Sequence, residues 1–160
     1  HLVISTVTGS FKKFEGNMIT EGDDFNNAKV NFSMEVNSID TNQQMRDEHL
    51  KGRDFFEADK YPKITFQSTS FAKDGNDYTM TGNLTLKGVT KPVELNVEYG
   101  GSEKNSYGQL KHGFEISGTI NRKEFGMTYN AITEAGGLTL GEDIKFVANI
   151  QVAELVEVAV

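Results

Sequence analysis

The chain has 160 residues, 37% of them hydrophobic and 24% charged, with no cysteine and a formal net charge of −7. That length and balance point to one globular domain, and the lack of thiols excludes disulfide frameworks, thiolate metal sites and cysteine nucleophiles. Acidic residues are scattered with no basic stripe to neutralise phosphates, which points away from nucleic acid. No apolar run exceeds three residues, so the chain has no membrane span, which needs about 20.

The dominant period is two. Short strands are expected over 3–8 and 11–20. Over 28–37, Val30, Phe32, Met34 and Val36 alternate with Lys29, Asn31, Ser33 and Glu35. The pattern then breaks. Asp40 or Thr41 can cap a helix, Gln43 or Gln44 follows three residues on, and Met45 and Leu50 give a short apolar face, so one or two helical turns are expected at about 42–51. Pro62 marks the next strand, because the residue before a proline is held extended. Further alternating segments follow over 63–71, 78–86, 93–99, 114–120 and 144–152. Turn signals separate the elements: Glu21-Gly22-Asp23-Asp24, Lys73 to Asp77, Gly100-Gly101 and Gly136-Gly137.

Alternation over eight or more residues is the mark of antiparallel strands with one dry and one wet face. An open sheet of this size would leave raw edges. The expected fold is therefore all-β, an antiparallel up-and-down barrel of eight strands with one short helical excursion. A barrel of eight strands encloses side chains or one small apolar ligand. The inward set mixes Phe, Met, Leu and Val with Gly82, Gly118 and Ala148, which permits a cavity without requiring one.

Four segments carry a more specific signal. The run from Arg46 through His49, Leu50, Arg53-Asp54-Phe55-Phe56, Asp59 and Tyr61-Pro62 to Ser68 resembles the signature of the YceI-like family of lipocalin-like, polyisoprenoid-binding proteins. In the family's order follow Gly82 to Val93, Gly118-Thr-Ile120-Asn121-Arg122-Lys-Glu-Phe125-Gly126, and Gly141 to Phe146. The resemblance spans essentially the whole chain, taken as one domain over 1–160, and implies a lipocalin-like barrel. It also implies a bacterial, periplasmic or secreted setting and a long apolar ligand: a polyisoprenoid, an isoprenoid quinone or a fatty-acyl lipid. Family members usually open with one more strand ahead of the segment that resembles residues 1–11. That strand is expected to be missing here, which leaves an edge-paired homodimer as an open alternative.

On this reading the cavity wall comprises Phe32, Met34, Ile64, Phe66, Met80, Leu84, Leu95, Val97, Phe114, Ile116 and Phe146. Arg46, His49 and Tyr61 are candidates for the rim. Arg46 and His49 share a helical face and can hold a pyrophosphate or a quinone oxygen; the plainer alternative is a local network with Asp47, Asp54 or a carbonyl that pins the excursion. Arg122 can face ligand or serve a turn anchored by Phe125, with Gly126 in a backbone conformation closed to other residues. Glu48 beside His49, and Asp54 near Glu57, read as solvated ions rather than acid–base pairs. His1, His49 and His112 lack metal-ligand spacing. No nucleophile elbow, phosphate loop or dinucleotide fingerprint occurs, so neither an enzyme nor a cofactor is expected beyond a bound isoprenoid or quinone-type lipid. The rival reading is a ligand-free, solid barrel acting as a stress-response or protein-interaction module.

Overall fold

The computed structural model describes residues 8–21, 25–130 and 140–154. Its elements are β1 (Ser10–Phe11), β2 (Phe14–Ile19), β3 (Lys29–Glu35), β4 (Ile39–Asp40), α1 (Gln44–Leu50), β5 (Lys63–Asp74), β6 (Asp77–Leu86), β7 (Val89–Lys104), β8 (Leu110–Asn121) and β9 (Asp143–Ala153). Two 3-10 turns add Val36–Ser38 and Arg122–Phe125. The main sheet runs β2-β3-β5-β6-β7-β8-β9, every pair antiparallel, and β1 pairs with β4 apart from it. The expected all-β meander with one helical excursion is therefore the fold. The main sheet has seven strands rather than eight among the described residues. The strand read over 3–8 falls largely on residues 1–7, and the turn signals at Gly22 to Asp24 and Gly136-Gly137 fall on 22–24 and 131–139, all outside the described residues.

The segment 11–20 is not one strand. Lys12 N–H donates to Ser38 O at 3.0 Å, while Lys13 O accepts from Glu35 N–H at 2.9 Å, so the chain changes partner between β1 and β2. The cause lies across the pair: β3 stops at Glu35, the 3-10 turn follows, and β4 departs in a new direction, so the facing strand must break at the same level. The helix is also shorter than 42–51. Asn42 adopts φ +64 and the N-cap is Gln43, without a side-chain bond to the helix. Asp40 instead accepts from Asn42 N–H at 2.8 Å, and Thr41 turns its hydroxyl to Asp47.

Register puts the apolar positions on one face. Phe32 faces Phe66, Phe66 faces Leu84, Met80 faces Leu95, and Gly118 faces Phe146. That face is the inside of a curled sheet. The Phe32 ring stacks on Phe66 with centroids 4.8 Å apart, and lies 3° from parallel with Phe146 at 6.3 Å, although β3 and β9 are separated by four strands in the sheet order. The buried core lies under β5 to β8: Ile64, Phe66, Met80, Leu84, Leu95, Val97, Phe114 and Ile116 are all below 9% exposed. Two inward glycines make the curl. A β-carbon at Gly82 would collide with the Phe66 ring and Gln67 O, and one at Gly118 would stand 2.5 Å from Leu95 Cδ2. The space these glycines leave is thus filled by Phe66 and Leu95 rather than open.

Gly82→Ala should cost about 2 kcal/mol of stability, the usual penalty for overfilling a packed core. Urea unfolding checks this, and a variant as stable as the parent would mean that Phe66 is free to move aside.

Candidate ligand-binding site

The two ends of the curled sheet are closed differently. At the end that carries the β5–β6 turn, Phe25 inserts among aromatic rings: Tyr99 at 5.2 Å, His112 at 5.1 Å, Phe114 at 5.0 Å and Tyr78 at 6.2 Å between centroids. Offset and edge-on contacts of this kind add to simple burial. Tyr99 Oη lies 2.9 Å from His112 Nδ1, and His112 Nε2 lies 3.0 Å from Glu154 Oε1. His112 therefore carries a polar chain into an aromatic end. Its signal was in the sequence: two residues before Phe114, it continues the inward register Phe114, Ile116, Gly118.

The opposite end is covered by the excursion between β4 and β5. Lys87 Nζ donates to Arg53 O at 2.9 Å, and Tyr61 packs where a side chain at Gly88 would sit. Phe56 meets Phe11 edge-on at 5.9 Å, and Ala58 is buried. The His49 ring packs on Phe55 at 5.0 Å and on Tyr129 at 5.2 Å, while its Nε2 lies 2.9 Å from Asp54 Oδ2. Of the three candidate rim residues, His49 and Tyr61 thus belong to this cover. Arg46 is committed locally, with Nε donating to Thr41 Oγ1 at 2.8 Å and Nη2 to Thr41 O at 2.7 Å. Asp47 completes that knot, accepting from Thr41 N–H at 2.8 Å and from its hydroxyl at 2.5 Å. The hydroxyl of Thr41, helped by its N–H and by Lys51 and Arg46, holds the Asp47 carboxyl below its ordinary 3.8 against a smaller opposing effect of desolvation.

Arg122 is buried at 4% exposure under the same end. Its Nε donates to Gly141 O at 2.8 Å, and its Nη1 donates to Met127 O and Tyr129 O, each at 2.7 Å. Phe125 is buried beside it and Gly126 adopts φ +78, the left-handed conformation that a glycine takes without strain. The turn anchored by Phe125 is therefore present.

The wall divides in two. Eight of the eleven wall residues are buried core, whereas Phe32, Met34 and Phe146 are only partly buried. On the same inner face Ile144, Ala148 and Ile150 of β9 are also partly buried, and Phe14, opposite Met34, is 63% exposed. An apolar seam thus runs along β2, β3 and β9 on the inside of the curl. On the outer face of β2, β3, β5 and β6 lies a depression of about 630 Å3 whose lining includes Glu15, Asn17, Asn31, Ser33, Thr65, Gln67, Asn83 and Thr85. Its amides and hydroxyls do not suit an apolar chain.

A meander curled around an apolar interior with one helical cover is a lipocalin-like half-barrel. The family model for the YceI-like domain matches residues 1–152, and the chain belongs to that family. A UPF0312 protein of Pectobacterium atrosepticum is 43% identical over 128 residues, covering 80% of this chain and 67% of its own length. One from Staphylococcus aureus is 39% identical over 154 residues, covering 94% and 86%. The Campylobacter jejuni YceI crystal structure is 34% identical, covers 97% of this chain and 89% of its own, and superposes with a TM-score of 0.83. A polyisoprenoid binding domain from Saccharophagus degradans, implicated in plant cell wall breakdown, shares the fold at TM-score 0.59 and 15% identity, covering 89% and 83%. Among the described residues, no helix is long and apolar enough to cross a membrane.

Asp47→Ala tests the knot. A carboxyl whose folded-state pKa lies below its unfolded value stabilises fully above the unfolded value and loses that contribution as pH falls through the folded one. The variant should be less stable than the parent near pH 7, and the gap should narrow as pH drops below 3.8. Thermal melts across that range check it; a gap independent of pH would assign the loss to packing alone.

Proposed function

We propose that this protein binds a long apolar lipid along the inner seam of its half-barrel and carries or sequesters it rather than transforming it. The observation that carries the reading is the contrast within one wall: Ile64, Phe66, Met80, Leu84, Leu95, Val97, Phe114 and Ile116 are buried, while Phe32, Met34 and Phe146 stay partly open to solvent. A chain laid there gains about 25 cal/mol for each Å2 of apolar surface removed from water, with no directional demand on its identity. Met34 suits such a guest because an unbranched thioether adapts to irregular contours. The ligand class follows from the family resemblance and from the neighbour described as polyisoprenoid-binding: a polyisoprenoid, an isoprenoid quinone or a fatty-acyl lipid. A periplasmic or secreted setting belongs to the same proposal, as do Arg46, His49 and Tyr61 as rim residues, with His49 and Tyr61 the better placed.

The filled-barrel alternative has one observation in its favour, the ring stack from Phe66 through Phe32 to Phe146 across the interior. Native mass spectrometry of freshly purified protein, followed by extraction of whatever it carries, separates the two. A stoichiometric lipid, and uptake of ubiquinone or a fatty acid that falls about tenfold in Phe146→Asp but not in the outer-face variant Thr85→Asp, is the expected result. A clean protein mass with no uptake of either probe overturns the lipid reading in favour of the solid barrel.

A further inference from the structure

Arg122 has one buried nitrogen that its surroundings leave without a hydrogen-bond partner. Its three hydrogen-bond partners are neutral main-chain carbonyls, and Nη2 is buried with no partner among the described residues. The nearby Glu142 carboxylate is taken by Lys123 Nζ at 2.7 Å. The Arg122 charge also helps Lys123 hold the Glu142 carboxyl below its usual range, but no oxygen bonds Nη2 among the described residues. A buried guanidinium is ordinarily matched by a carboxylate, because leaving a charged donor without a partner in a dry site carries the full cost of its lost hydration. A turn clamp alone explains Nε and Nη1 but gives Nη2 nothing to do.

The position of this unmet donor is informative. Arg122 follows directly on β8, whose inward residues Phe114, Ile116 and Ile120 line the half-barrel. Its acceptor Tyr129 presents its ring to His49 and Phe55 in the cover of the same end. A second cation lies at that end: Lys91 faces Leu84 in the register, hence occupies an inward position, and makes no ion pair among the described residues. This end thus holds two cations, Lys91 exposed and Arg122 buried with one nitrogen short of a partner.

We propose that Arg122 is the head-group subsite, taking an oxyanion of an acidic lipid, a carboxylate or a phosphate monoester, through Nη2 while its other nitrogens hold the turn. This rests on the lipid reading and narrows it: of the ligand classes above it selects those with an acidic head over neutral quinones and alcohols. A planar fork with two N–H groups free on one nitrogen suits an oxyanion, and a charge-assisted bond in a dry site is far stronger than a neutral one.

The test compares each acid with its neutral counterpart on the same chain, using palmitic acid against methyl palmitate and geranylgeranyl phosphate against geranylgeraniol. Affinity is read by displacement of a fluorescent lipid from the intact protein. The parent should prefer at least one acid over its neutral partner by about tenfold, and which pair shows the gap identifies the carboxylate or the phosphate as the head. Arg122→Gln should abolish that gap while leaving the neutral ligand's affinity within about threefold, and the outer-face variant Thr85→Gln should leave the gap in place. Equal binding of acid and neutral lipid by the parent overturns the proposal and makes Arg122 a clamp whose Nη2 is met by water. A gap that disappears in Lys91→Gln but survives in Arg122→Gln overturns it as well. Should Arg122→Gln fail to fold, Arg122→Lys, which keeps the charge but loses the fork, takes its place and should reduce the gap. If neither acids nor neutral lipids bind, it is the lipid reading that has failed, a result distinct from lost selectivity.

Discussion

The Phe66 ring occupies the space that a side chain at position 82 would need, and only glycine there lets the ring lie across β6 inside the curled sheet. A flat sheet cannot bring distant strands together, whereas here Phe66 lies across β6, Phe32 stacks upon it, and Phe146 approaches from the far strand. Gly118 repeats the device between β7 and β8, with Leu95 lying over it. Glycine on the inward face of a strand weakens it locally, and what is gained is close approach of a neighbour. The interior is sealed at Ile64, Phe66, Met80, Leu84, Leu95, Val97, Phe114 and Ile116, and more exposed at Phe32, Met34 and Phe146.

Much of this was legible in the residues. Unbroken alternation in 78–86, 114–120 and 144–152 matches β6, β8 and β9, because a half-buried antiparallel strand leaves a strong period-two trace. Less visible was anything set by a partner strand. The break at Lys12-Lys13 is dictated by where β3 ends, so nothing local in 11–20 announces it. The helix starts later than its sequence predicts because Thr41, a good capping residue, serves a local knot with Arg46 and Asp47 instead. Inward residues were legible as a face, but not their division into sealed core and open seam, which arises only when the sheet curls.

The same limit explains the site. Arg46 and His49 share a helical turn, yet what a cation can do depends on which of its donors are already used. Arg46 has spent two on Thr41, and His49 has an acidic partner in Asp54. Arg122, which looked like part of a turn, is part of one and still has a nitrogen left over. For His112 the sequence shows the inward position but not its use: a polar residue there reads as a lapse in the pattern until Tyr99 and Glu154 stand on its two nitrogens.

These two polar groups give the half-barrel a direction. At one end His112 is satisfied on both sides and ringed by Phe25, Tyr99 and Phe114, so a guest that reached it would have to displace an aromatic cluster and break a completed chain of bonds. At the other end Nη2 of Arg122 is buried with no acceptor among the described residues, so a guest with an oxyanion would supply one. Leaving a buried donor unmet is costly, whereas disturbing a satisfied network adds a cost that did not exist before. The difference in free energy between the two ends would orient an amphiphile in an otherwise uniform apolar seam, with its head beneath the helical cover and its tail running toward the aromatic plug.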